Sequence, residues 1–178
     1  MQKEKLTIQE RLAKVHFFKI SPDVSMLKEN EKKAIKHCIE AARIMTSVYL
    51  KQSAHSNLEL YEALKKRSDK EGADLFRYFN IHGSAWDAYN HNEPFVPDVG
   101  EKPKFGSFYP PDLTENEWNA WLNAHPKDRE SFENNYTVIK RNSNGLIATP
   151  YSEEHKDHLT DAAYHLRKAA SYLPAGNL

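Results

Sequence analysis

Histidine is the residue type in this sequence with the widest chemical range, because nine are present and imidazole serves both as a metal ligand and as a proton carrier near neutral pH. Zinc peptidases of the helical type place two histidines on one helix face with a glutamate after the first, as in His-Glu-x-x-His or a variant one residue longer. No histidine in this chain is followed by glutamate. The sequence therefore predicts no such motif, and we assign no catalytic residue.

A second candidate is a stripe of metal-binding residue types near the C-terminus. Glu154, His158, Asp161 and His165 follow one another at i, i+4, i+7 and i+11, which places them on one side of a predicted helix. The same spacing is typical of a solvated flank that carries weak Glu–His and Asp–His pairs. We favour the flank, and we predict no metal ligand and no bound cofactor in this chain.

The densest cluster of polar and aromatic residues is the stretch "IHGSAWDAYNHNEPF", which contains Trp86 and Asp87 between His82 and His91. A Trp-Asp pair beside a glycine is suited to the wall of a binding groove, whereas a loop anchored by a buried tryptophan gives the same pattern. Trp86 and Asp87 are therefore candidate groove-lining residues, with the buried anchor as the alternative.

Nucleophilic chemistry has little support in the sequence. The single cysteine, Cys38, falls on the apolar side of a predicted helix, where we expect an inert buried thiol. The chain has no Gly-x-Ser-x-Gly sequence, and its six glycines form no phosphate-binding loop. The residues themselves indicate no active site.

Charge and composition exclude several classes of partner. The 25 basic and 25 acidic residues give a net charge of zero without long runs of one sign, so we expect neither nucleic acid nor a membrane surface as a partner. One cysteine excludes an internal disulfide and a multi-cysteine zinc site. The charged N-terminal stretch contains no signal-type apolar run, and we expect a cytoplasmic protein.

Hydrophobic spacing predicts a mainly α fold with a small antiparallel β element, of the α+β class, in a single domain over residues 1–178. In the strongest helix, residues 30–52, an apolar stripe contains Ala34, Ile35, Cys38, Ile39, Ala42, Met45, Val48 and Tyr49. Capping boxes at Ser56 and Thr114 predict two further helix starts. Helices are also expected over residues 69–81, with Gly83 as the stop, and over residues 152–172.

Residues 136–151 read as a β-hairpin with its turn at residues 142–145. Because a lone two-stranded ribbon is marginal in water, it needs a third strand or a covering helix. Residues 14–20, "KVHFFKI", are the candidate strand; otherwise, further strands lie on polypeptide outside this chain.

The segment before the hairpin, residues 94–111, holds five of the nine prolines but also several aromatic rings, so we expect an irregular packed loop.

The order of three segments resembles the opening region of bacterial members of the dipeptidyl peptidase III family of zinc metallopeptidases. Its most specific pieces are "EPFVPDVG", "FYPPDLT" and the hairpin with its Pro-Tyr-Ser exit, within a likeness that spans most of the chain. The resemblance implies a two-lobed exopeptidase that removes dipeptides from peptide N-termini. It also implies a small β-core in one lobe, with the peptide substrate extended along a strand.

The chain departs from that family where activity resides. The resemblance implies a His-Glu-x-x-Gly-His motif and a later helix with a glutamate ligand, and neither occurs here, so no catalytic or zinc-binding residue is carried over. We expect a scaffold and cleft-forming region that is inactive alone. Its expected partners are the missing C-terminal zinc-binding region and, through that assembly, a peptide substrate.

We also predict how the isolated chain associates, and we keep one alternative function. An isolated chain that normally lies against a second lobe should expose an apolar patch and self-associate. The alternative function is a stand-alone helical module that binds a peptide or protein without catalytic activity.

Overall fold

The computed structural model describes residues 5–174 and confirms the mainly α fold with a small antiparallel β element. In chain order its elements are α1 (Ile8–Ala13), α2 (Glu29–Ser53), α3 (Asn57–Lys65), α4 (Lys70–His82), β1 (Trp86–Asp87), β2 (Glu93–Pro94), α5 (Glu115–Ala124), a 3-10 turn (Pro126–Asp128), α6 (Arg129–Phe132), β3 (Thr137–Asn142), β4 (Gly145–Pro150), α7 (Tyr151–Glu154) and α8 (Lys156–Ser171). No helix in this part of the chain has the length and apolar content needed to span a bilayer.

Local signals account for several of the helix ends. At the start of α4 the Asp69 carboxylate accepts a hydrogen bond from the Gly72 N–H at 2.9 Å, and at its end Gly83 takes the left-handed conformation with φ 58°. The Thr114 hydroxyl caps α5 by accepting from the Glu117 N–H at 3.2 Å. The capping box predicted at Ser56 is wrong, because Ser56 already has helical φ and ψ and its hydroxyl makes no capping bond.

Two helices differ from the prediction. The sequence reasoning missed α1, although Thr7 and Glu10 form a full capping box: the Glu10 carboxylate accepts from the Thr7 N–H at 2.7 Å, and the Thr7 hydroxyl accepts from the Glu10 N–H at 3.3 Å. The expected single helix over residues 152–172 is divided into α7 and α8 at His155, where φ is −113°. This break turns the imidazole of His155 into the protein, with 5% of the residue exposed.

The third strand predicted at residues 14–20 is wrong. These residues make no strand pairing, and Phe18 and Ile20 are 86% and 88% exposed. The Arg77 guanidinium instead lies over the Phe17 ring, with its central carbon 3.8 Å from the ring centroid. Helices α5 and α6 cover the β3–β4 hairpin, which is the other means of stabilising a two-stranded ribbon.

Two hydrophobic cores organise the chain. The Trp86 core consists of Ile8, Leu50, Ala54, Leu64, Leu75, Tyr78, Phe79, Ala85, Trp86 and Val96. The hairpin core consists of Leu122, Phe132, Ile139 and Leu146, with Tyr109, Leu113, Trp118, Trp121 and Ala148 packed around it. The proline-rich loop joins the two cores because Phe95 packs on the first and Tyr109 on the second, as expected of a packed loop.

Candidate functional site

A cavity of about 550 Å³ lies where the two cores meet. We call it the β3 cleft. The end of α2, the proline-rich loop, strand β3 and the α7–α8 break form its walls. Its lining residues are Lys51, Gln52, His55, Ser107, Tyr109, Pro110, Pro111, Asp112, Val138, Ile139, Lys140, Arg141, Glu154 and His155.

Strand β3 is held in place on both sides. It pairs with β4 in an antiparallel register that sets Asn142 opposite Gly145, so Ser143 and Asn144 form the turn. Gly145 has φ 118°, and a Cβ there would overlap the Trp121 ring, so glycine is required by both conformation and space. On the other edge, the Ile139 N–H donates to the Phe108 carbonyl at 2.9 Å, which ties β3 to the proline-rich loop.

Ion pairs hold the charged side chains at the mouth of the β3 cleft. The Arg141 guanidinium donates to Glu117 at 2.6 Å and to Asp112 at 3.1 Å. These hydrogen bonds lower the pKa of both carboxyl groups. On the opposite side, Lys140 pairs with Glu154. The hairpin is therefore joined to α5 and to α7 by charged contacts as well as by its apolar face.

Two residues that line the β3 cleft have a buried polar atom without a hydrogen-bond partner in the described chain, at His155 Nδ1 and Ser107 Oγ. The nearest polar contact of the imidazole is between His155 Nε2 and Gln52 Nε2, at 3.5 Å. Burial lowers the pKa of His155; the Glu154 charge opposes this with a smaller effect, and the Lys51 charge adds a still smaller lowering. His155 is therefore a neutral imidazole at neutral pH.

The predicted groove-lining residues lie elsewhere, in the short β1–β2 hairpin. Trp86 is 2% exposed, and its indole N–H donates to the Gly100 carbonyl at 3.0 Å, the arrangement expected of a buried anchor. Asp87 is also buried, but it borders a separate cavity of about 460 Å³ that also contacts Tyr89 and Lys14. Their assignment to a substrate groove stays a prediction.

Asp87 is the centre of a buried ion network that the sequence reasoning missed. Its carboxylate accepts from the Arg11 guanidinium at 2.5 Å and from the Tyr78 hydroxyl at 2.9 Å, and Arg11 also pairs with Glu93. Burial alone would raise the pKa of Asp87, but the hydrogen bonds from Tyr78 and Arg11 outweigh it and lower that pKa. Burial, together with the bond to Asp87, raises the pKa of Tyr78 to about 12.

The sequence contains one weak indication of this network, the position of Arg11 in α1. The Thr7 capping box places Arg11 one helical turn after the N-cap, beside the buried Ile8, and an arginine on the buried side of a helix requires carboxylate partners. The network joins α1, α4 and the β1–β2 hairpin. It has a structural role around the Trp86 core.

The stripe of Glu154, His158, Asp161 and His165 does not assemble as a unit. Glu154 pairs with Lys140, and His165 Nδ1 faces His37 Nδ1 of α2 at 3.0 Å. Among residues 5–174, no group of three His, Cys, Asp or Glu side chains is placed to hold a metal ion. The residues present therefore do not fit the zinc site that the resemblance implies, and the absence of a cofactor in this chain stays a prediction.

Cys38 differs from the expectation of a buried thiol, because it is only partly buried. It lies between Ala34 and Ala41 on the same side of α2 as these two buried residues.

Comparison with known proteins gives two related structures. The chain is 39% identical to the solved structure of DPP III from Caldithrix abyssi, with a TM-score of 0.81 over 87% of this chain and 29% of that chain. It is 28% identical to dipeptidyl-peptidase III from Corallococcus sp. strain EGB, with a TM-score of 0.86 over 93% of this chain and 31% of that chain. The resemblance to the N-terminal region of the dipeptidyl peptidase III family is confirmed.

A curated relative, Nudix hydrolase 3 of Arabidopsis thaliana, is 24% identical over 224 aligned residues, which cover 97% of this chain and 29% of that protein. No family model matches the chain. The chain spans less than a third of the length of each of these three proteins.

Proposed function

We propose that this chain is the scaffold and cleft-forming N-terminal region of a dipeptidyl peptidase III-like zinc exopeptidase, which removes dipeptides from peptide N-termini. The observation that carries the proposal is the 39% identity to the Caldithrix abyssi enzyme, with a TM-score of 0.81 over 87% of this chain. Because the match covers 29% of that enzyme, the catalytic zinc and its ligands belong, in this proposal, to polypeptide outside the chain.

The chain's own part in such an enzyme is to position groups. Its described residues bring together no metal-binding set, and its histidines lack a following glutamate. The isolated chain is therefore proposed to be inactive, and the proposed location of the enzyme is the cytoplasm. The name of the plant relative is not carried over, since the chain matches only 29% of that protein.

The hydrogen bonds that strand β3 already makes limit its ability to pair with an extended peptide. The backbone N–H of Ile139, which points away from β4, already donates to the Phe108 carbonyl. An extended peptide therefore has no free donor at Ile139, and we assign strand pairing with substrate to strands outside this chain. In this proposal β3 and the proline-rich loop form a wall of the cleft.

Complementation tests the proposal. The Caldithrix abyssi enzyme without its matching segment is purified, mixed with this chain and assayed for release of dipeptides from a chromogenic substrate. We expect neither part alone to be active and the mixture to gain activity. Size-exclusion chromatography of the mixture reports whether the two parts associate. A stable complex, with zinc bound at one equivalent and no activity above the truncated enzyme alone, would contradict the proposal.

The stand-alone binding module is the second candidate, and the enclosed Trp86 core favours it because Phe79 and Trp86 are fully packed within this chain. The two functions differ in the gene sequence expected downstream of the Leu178 codon. A reading frame that ends there, with no zinc-motif sequence downstream, supports the module.

A further inference from the structure

We propose that the β3 cleft binds a carboxylate through Lys51, Ser107 and His155. The inference goes beyond the proposed function, because every group involved belongs to this chain and the binding needs no zinc lobe. The ligand class is a monoanionic carboxylate attached to an aliphatic or aromatic group.

The first part of the argument is the unpartnered imidazole. His155 is 5% exposed, and its Nδ1 has no hydrogen-bond partner in the described chain, although leaving a buried polar group unsatisfied is unfavourable. If the Gln52 amide donates to Nε2, the neutral ring carries its proton on Nδ1. The imidazole then offers one N–H donor to a group in the cleft.

Ser107, on the proline-rich loop, supplies a second donor among the lining residues. Its backbone N–H donates to the Gln52 carbonyl at 2.9 Å, which fixes the proline-rich loop against the end of α2. Its Oγ is buried and has no partner in the described chain. Two buried donors without acceptors on the walls of one cleft indicate a ligand with acceptor oxygens.

Charge distinguishes a carboxylate from a neutral carbonyl or a phosphate. The lining contains the cations Lys51, Lys140 and Arg141 and the anions Asp112 and Glu154, and Glu117 adds a third carboxylate at Arg141. Lys140 and Arg141 are neutralised by their ion pairs, whereas Lys51 has no carboxylate within 4.0 Å in the described chain. One free cation suits a monoanion, and the nearby carboxylates disfavour a doubly charged phosphate.

The remaining wall is apolar. Tyr109, Pro110, Val138 and Ile139 border the β3 cleft, and its volume of about 550 Å³ is that of a site for a small ligand. A ligand that places its carboxylate at His155 therefore has an apolar surface available for the adjoining side chain. This combination fits either the C-terminal carboxylate of a short peptide or a free small organic acid.

Isothermal titration of the full chain with three probes distinguishes these sources. The probes are the dipeptide Ala-Phe, its C-terminal amide, and isovalerate. Binding of Ala-Phe but not of isovalerate supports the peptide source, and equal binding of isovalerate supports the free acid. Equal binding of the amide, or no binding of any probe at about 10 mM, a concentration that detects even millimolar affinity, would overturn the proposal.

Two variants locate the bound carboxylate. Lys51→Met removes the charge and keeps the apolar stem, and Ser107→Ala removes one donor; each is expected to weaken binding about tenfold, as for loss of one hydrogen bond to a charged group. Lys36→Met, at an exposed position on the same helix, is the matched control and leaves affinity unchanged. Amide NMR shifts at residues 138–141 and His155 report on the site directly. If both variants bind as the unmodified chain does, a water-filled cleft is the correct account and the proposal fails.

Discussion

Helix α2 lies in two different environments along its length. At its C-terminal end Leu50 is 1% exposed and belongs to the Trp86 core, beside the fully buried Phe79. Along the rest of its length it packs on α8, where the buried residues of both helices are mainly alanines: Ala34, Ala41, Ala162 and Ala169. Several larger apolar side chains of this pair stay exposed: Ile35, Ile39, Met45, Tyr164 and Leu166 are 41–54% exposed.

This difference shows that a helix pair held through small residues approaches closely but removes little apolar surface from water. The Trp86 core adds a buried ion network, whereas the α2–α8 pair is held by contacts such as that between His37 and His165. Under the proposed function, the rest of the enzyme covers the exposed side of the pair. The Trp86 core should therefore provide most of the stability of the isolated chain.

The largest expected effect is loss of the buried cation in the Trp86 core. Arg11→Met leaves Asp87 buried without its guanidinium partner and should lower the free energy of unfolding by about 3–5 kcal/mol. Arg43→Met, on the α2–α8 pair, removes only an exposed contact with Glu40 and should cost less than about 1 kcal/mol. Urea unfolding followed by circular dichroism measures both free energies. Equal losses of stability would contradict the expected difference between the Trp86 core and the α2–α8 pair.

Truncation of apolar side chains sharpens the same contrast. Leu75→Ala, at a position 3% exposed in the Trp86 core, should destabilise the chain by about 2–5 kcal/mol through lost burial and a residual cavity. Ile39→Ala, at a position 45% exposed, should cost under about 1 kcal/mol because most of that side chain contacts solvent. If Ile39→Ala lowers the free energy of unfolding as much as Leu75→Ala does, the exposed side of the α2–α8 pair is already covered in the isolated chain.

A smaller effect is expected from pH, because two histidine side chains, those of His82 and His155, are buried in the folded chain. Burial lowers the pKa of His82 despite the opposing charge of Asp87, and burial lowers that of His155. The unfolded chain takes up these protons near pH 6.5 while the folded chain does not, so stability should fall as pH decreases below about 6.5.

Urea midpoints between pH 7 and pH 5 measure this slope. His82→Gln combined with His155→Gln should flatten it, and His16→Gln, at an exposed position, should not. A slope unchanged in the double variant would assign the pH dependence to other groups.

The smallest effect concerns association of the isolated chain. If the uncovered side of α2 drives self-association, Ile35→Lys with Ile39→Lys should lower the weight-average mass at high concentration, measured by sedimentation equilibrium. Glu62→Lys, an exposed charge change on α3, should leave the mass unchanged. A wild-type chain that stays monomeric at every concentration would contradict the predicted self-association.

Sequence reasoning succeeded where the determinants are local. Asp69 and Gly83 marked both ends of α4, and the Asn142 to Gly145 stretch marked the hairpin turn, because caps and turns depend on a few neighbouring residues. The apolar stripe of α2 was found, but it spans more than one helix face. Periodicity does not tell which side of α2 another helix covers. In the structure, α8 covers the side that carries Ala34 and Ala41.

The errors arise from contacts distant in sequence. "KVHFFKI" has the residue types of a strand but finds no partner strand, and its aromatic residues stay largely exposed. The pairing of Arg11 with Asp87 joins residues 76 positions apart, and the β3 cleft assembles residues from four separate segments. Neither arrangement leaves a periodic pattern, so only the folded chain brings these groups together.

The unbroken course of α2 has a mechanical consequence. Its 25 residues form a rod about 37 Å long at 1.5 Å per residue, anchored at Leu50 and bordering the β3 cleft at Lys51 and Gln52. A tilt of about 5° at the anchored end displaces the far tip by about 3 Å at that length. Any movement of the cleft wall that rotates Lys51 and Gln52 would thus be magnified at Glu29, at the opposite end of the helix.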